Sequence, residues 1–71
     1  MQCKGKKRLV RVLFRDHIIE FPLPVVFIQK ARQRGLKVRH PVNRKVTTAR
    51  YVTTVIYWHK KTFVYVFATD D

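Results

Sequence analysis

The nonapeptide VTTARYVTT, residues 46–54, decides between two folds for this chain. As a helix it would follow a first helix ending at Gly35 and precede a hairpin. That is a winged helix-turn-helix, whose second helix enters the major groove. As a strand it would open an antiparallel hairpin with the residues after it. Six of the nine residues are Val or Thr, whose branched side chains lose rotamer freedom in a helix and pack well on a pleated surface. Strand is therefore the expected state. The echo of Val-Thr-Thr at 46–48 and 52–54 is too short for a repeat unit and is strand chemistry. Carried on to Trp58, the strand would be ~40 Å long, so a bend near Ala49-Arg50 is expected. His59-Lys60-Lys61-Thr62 reads as the tip of the hairpin, pairing Trp58 with Phe63, Ile56 with Tyr65 and Thr54 with Phe67.

Upstream, RLVRVLFRDHIIEF, residues 8–21, reads as another hairpin with Arg15-Asp16 as its polar break. Pairing Phe14 with His17 sets Arg11 opposite Glu20, Leu13 opposite Ile18, Val12 opposite Ile19 and Val10 opposite Phe21. That register gathers Val10, Val12, Phe14, Ile19 and Phe21 on one face and aligns an opposite-charge pair on the other. Residues 24–34 then predict a helix, with Pro24 at its start and Gly35 past its end. Val25, Phe27, Ile28 and Ala31 would face the sheet, and Leu36 would close the end. No Ser, Thr, Asp or Asn stands at the start to cap it. LKVRH, residues 36–40, alternates as a strand, with Leu36, Val38 and His40 on one side and Lys37 and Arg39 on the other. The expected fold is a small single α+β domain over residues 8–69, in the order β-β-α-β-β-β, with one helix on a mainly antiparallel sheet. Residues 1–7 read as a flexible basic tail.

Charge narrows the function. The 71 residues carry sixteen Lys and Arg against four acids, a net charge of +12. The acids are Asp16, Glu20, Asp70 and Asp71, so residues 21–69 hold ten bases and no carboxylate. Ion pairs within the chain cannot neutralise that segment, whatever its fold. With 46% apolar residues and nine aromatics, disorder is not the explanation. A merely soluble surface would intersperse acids among the bases. The composition points to a polyanion partner. The densest run is KARQRGLKVRHPVNRK, residues 30–45. Its Lys30, Arg32, Arg34, Lys37, Arg39, Arg44 and Lys45, joined by Arg50, are the expected nucleic-acid contacts, because planar guanidinium forks suit phosphates. Lys4, Lys6, Lys7 and Arg8 of the tail, with Lys60 and Lys61 of the hairpin tip, are expected to make secondary phosphate contacts. In the last hairpin Trp58, Phe63, Tyr65 and Phe67 share one face; Tyr51, Val55, Tyr57, Val64 and Val66 share the other. One helix cannot cover both faces. The second face is expected to meet another copy of the chain or flat bases, with Tyr51 and Tyr57 as stacking candidates.

Other chemistry finds little support. His17, His40 and His59 match no compact metal spacing, so neither metal nor cofactor is expected. No phosphate-binding glycine loop or nucleophile motif appears, and no catalysis is expected. Cys3 alone forms no disulfide framework, which suits a reducing compartment. The longest apolar run, VVFI at residues 25–28, is far short of a bilayer span. The cytoplasm is expected, that of a host cell if the gene is viral or plasmid-borne. The leading expectation is a small regulatory or accessory protein that binds DNA or RNA without catalysis. The alternative is an interaction module that docks an acidic protein.

Overall fold

Residues 46–57 form one strand, and the winged helix-turn-helix is excluded. The computed structural model describes residues 6–70, so Cys3 and Lys4 lie outside the described residues. The elements are β1 (Lys7–Leu13), β2 (Ile18–Pro24), α1 (Val25–Arg34), β3 (Leu36–Arg39), β4 (Val46–Tyr57) and β5 (Thr62–Ala68). This is the small α+β fold in the expected β-β-α-β-β-β order.

The five strands form one sheet in the order β2-β1-β5-β4-β3. All neighbours are antiparallel except β1 and β5, along which the first and last hairpins join in parallel. The first hairpin has the register expected from its apolar face, with Arg11 opposite Glu20 and Val10 opposite Phe21. Its turn is closed by Phe14 N–H donating to the His17 carbonyl at 2.8 Å.

Because β2 and β3 lie at opposite edges, α1 must cross the sheet between them, and it packs on β2 and β4. Ile28 and Ala31 are its buried residues. Phe27, expected to face the sheet, is 56% exposed, since it falls beside the narrow stripe that Ile28 and Ala31 define. The missing N-cap is partly replaced from the residue just before β1: the first helical N–H, of Val25, donates to the Lys6 carbonyl at 3.0 Å. At the other end Gly35 N–H donates to the Ala31 carbonyl at 2.7 Å. The core forms between helix and sheet from Val10, Val12, Phe14, Ile28, Ala31, Val38, Ala49 and Phe67, with Leu36 and Tyr51 packed against it.

The last hairpin departs from its expected register. Ile56 pairs with Phe63 and Thr54 with Tyr65, two residues from the anticipated partners. The turn spans residues 58–61, one residue earlier than expected, and moving a turn by one residue shifts the pairing sum by two. Lys61, at φ 50, makes the return, and its N–H donates to the Trp58 carbonyl at 3.2 Å. The expected bend near Ala49-Arg50 occurs instead as a bulge between Tyr51 and Thr53. A bulge adds one residue to one strand and inverts the alternation beyond it. Tyr51 therefore joins Phe67 on the helix side, and not Val55 and Tyr57 on the opposite face as strict alternation implied.

Candidate nucleic-acid interface

Side-chain alternation divides the central cations between two surfaces. In β3, Leu36 and Val38 point into the core, so Lys37 and Arg39 project from the face without a helix. Arg50 projects from the same face of β4, between the inward-facing Ala49 and Tyr51. Lys30, Arg32 and Arg34 lie exposed on α1. Arg44 and Lys45 are exposed in the β3–β4 loop, which is held by local hydrogen bonds. His40 N–H donates to the Lys45 carbonyl at 2.9 Å and Arg44 N–H to the His40 carbonyl at 3.0 Å. Val42 N–H donates to His40 Nδ1 at 3.1 Å, and Lys45 N–H to Asn43 Oδ1 at 2.9 Å. Arg44 takes a left-handed φ of 64 within this loop.

The two surfaces meet at the sheet edge. β3 pairs only with residues 46–49 of β4, so among the described residues the outer edge of β4 has no partner strand from Arg50 onward. The C-terminal end of α1 passes beside that edge, and Arg32, Arg34 and Arg50 line one cavity of about 280 Å³ there, with Thr48 and Tyr51. Gly35 allows the approach: a Cβ at that position would lie 2.7 Å from Thr48 Cγ2. A second cavity of about 450 Å³ continues along the helix, lined by Gln29, Arg32, Gln33 and Tyr51. The Tyr51 ring is fixed between them by an edge contact to Phe67 at 5.7 Å and a 2.6 Å hydroxyl bond to Thr54. Arg32 lies over the ring, its Cζ 4.6 Å from the centroid.

The other stacking candidate is engaged elsewhere. Tyr57 lies on the helix-free face, where its hydroxyl accepts from Arg11 Nη2 at 2.9 Å. The Glu20 carboxylate accepts from Arg11 Nε at 2.6 Å. These bonds, the one to Tyr57 first, raise the Arg11 pKa above its usual value. Arg11 is thus the one guanidinium with a carboxylate partner among the described residues. On this face Val64 and Val66 are buried although α1 packs on the other. Val64 sits between Leu9 and Val55 in neighbouring strands, and Val66 between Arg11 and Thr53. The exposed apolar side chains of the hairpin include instead Val46, Val52, Ile56, Phe63 and Trp58, the last 83% exposed.

The secondary cations are dispersed. Lys6 and Lys7 are exposed at the start of β1, level with the hairpin tip that carries Lys60 and Lys61. Arg8 is half-buried with its guanidinium 5.7 Å from the Phe63 ring centre. β1 begins at Lys7, within the segment read as tail.

Sequence spacing gave no sign of one further cluster. The β1–β2 turn and the β3–β4 loop meet at one end of the sheet, bringing ligand atoms of Asp16, His17 and His40 within 4.8 Å of one another. The His17 and His40 rings are 5.2 Å apart. Asp16 Oδ1 accepts from His17 Nδ1 at 2.9 Å, the main reason its pKa is lowered. The tautomer of His40 opposes a metal here. Its Nδ1 accepts two backbone N–H groups, from Val42 and Asn43, so its proton belongs on Nε2, which faces Asp16. Histidine ligands ordinarily donate through the nitrogen that does not bind the metal, and this one accepts. The cluster instead pins a loop that carries Arg44 and Lys45.

Among the described residues no helix is long and apolar enough to cross a membrane. Comparison with protein-family models, curated proteins and solved structures returns no match.

Proposed function

We propose that this protein binds nucleic acid through its phosphates, without catalysis, in a regulatory or accessory role. One observation carries the reading. Lys30, Arg32, Arg34, Lys37, Arg39, Arg44, Lys45 and Arg50 are all exposed, and none has an ion-pair partner among the described residues. They lie on α1, on β3 and β4 and on the loop between those strands, so their charges are grouped without a counter-charge. Phosphate binding there releases counterions, and affinity must fall with salt. With five phosphates neutralised, log affinity against log salt should have a slope of about −4 to −5 on duplex and about −3.5 on single strands. Fluorescence anisotropy with DNA and RNA, single- and double-stranded, over several salt concentrations measures it. Absence of binding at low salt, or a flat profile, would refute the reading. Tighter binding to poly-glutamate than to every nucleic acid would favour an acidic protein as partner.

We infer as well that the chain forms a homodimer through the open edge of β4. Centred on Val55, antiparallel pairing of two copies sets Thr53 opposite Tyr57 and Thr54 opposite Ile56. Each pair then keeps its side chains on matching faces.

A further inference from the structure

We propose that the two joined cavities beside α1 form a subsite for one nucleotide of a single strand, with the phosphate at Arg34 and Arg50 and the base on Arg32 and Tyr51. The inference rests on the nucleic-acid reading and specifies how that site is used. The cavities share Arg32, Gln33 and Tyr51, so a ligand in one continues into the other. Their chemistry differs in the way a nucleotide's does. One end is lined by Arg32, Arg34, Arg50 and Thr48, residue types that can donate to phosphate oxygens. The other is lined by Gln29 and Gln33, whose amides both donate and accept, beside the guanidinium that lies over the Tyr51 ring. A base laid on the Arg32 plane would extend that stack, and its edge would face the glutamine amides.

A paired base is stacked on its neighbours and cannot enter such a recess, so the ligand is single-stranded. Three further features favour this over a diffuse basic surface. The Tyr51 ring is immobilised from beneath by Phe67 and Thr54, which makes it a platform. The bulge beyond Tyr51 is the device that turns this ring to the helix side. Finally, among the described residues no carboxylate lines either cavity.

The decisive variant is Arg32→Lys, which keeps the charge and removes the stacking plane at an exposed position. Anisotropy with labelled oligo-dT, oligo-U and a DNA duplex of equal length should show single-strand affinity falling by about fivefold or more. Duplex affinity should change less than twofold. Tyr51→Leu should give a larger single-strand loss; because Tyr51 packs on the core, circular dichroism must first show it folded. The exposed pair Gln29→Ala and Gln33→Ala tests the base end without that concern. In heteronuclear NMR of the wild-type protein, uridine or thymidine monophosphate should shift the Gln29 and Gln33 side-chain amides, whereas inorganic phosphate should shift only the Gly35 to Tyr51 end. Equal losses on single strand and duplex for Arg32→Lys, or nucleotide shifts elsewhere, would overturn the subsite and leave general phosphate binding standing. Failure of wild-type protein to bind any nucleic acid would remove both. A preference between oligo-dT and oligo-U identifies DNA or RNA as the source of the strand.

Discussion

Gly35 carries two demands at one residue. It has φ 93 and ψ 162, a region that only glycine occupies without strain, and its missing side chain lets the chain turn from α1 into β3 close against Thr48. Gly35→Ala should therefore lower stability by about 2–3 kcal/mol, from backbone strain together with the clash at Thr48. Urea denaturation with an unchanged m-value reads this directly; a loss under ~0.5 kcal/mol would mean that the helix end rebuilds without strain. The position was legible in the sequence as a glycine after a helical pattern. Its closeness to β4 was not, because that distance is set by how α1 crosses the sheet.

Among the elements, the loop after β3 shows how charge becomes a site. His40 is buried at 7% exposure, as strand alternation predicted, yet its chief contribution is to accept the loop's N–H groups through Nδ1. That fastening orders Arg44 and Lys45 before binding, so less freedom is lost on contact. Replacing Arg34, Lys37, Arg39 and Arg44 together by Gln should weaken nucleic-acid binding at least about tenfold more than replacing Lys4, Lys6, Lys7 and Arg8. Each set removes four charges, and the second set's described members lie at the other end of the sheet. Anisotropy at one salt concentration decides it, after thermal melting has shown both variants folded; Arg8, half-buried beside Phe63, makes that control necessary. Equal losses would mean that net charge alone governs affinity.

At the scale of the molecule, the open β4 edge and the exposed Ile56, Trp58 and Phe63 bear on self-association. An unpaired strand edge is a template for another strand. In the pairing centred on Val55, Arg50 of one copy comes near the Lys60 end of the other, so the dimer opposes like charges. Dimerisation should therefore strengthen with added salt, which screens that repulsion over about 10 Å or less, while nucleic-acid binding weakens. Sedimentation velocity from low to high salt at tens of micromolar, free of nucleic acid, measures it; a pure monomer at every salt concentration would exclude the dimer.

The element order, the first hairpin's register and the outward direction of Lys37 and Arg39 are legible in the sequence. These follow from local rules: branched residues favour strands, apolar residues alternate on one face, and glycine ends a helix. That Tyr51 faces the helix, that Arg32, Arg34 and Arg50 share a recess, and that Asp16, His17 and His40 converge are consequences of the three-dimensional fold. A single bulge inverts alternation without any local signature in VTTARYVTT. The other juxtapositions depend on which strands become edges, and a helix that must cross from β2 to β3 brings together residues that no sequence spacing relates.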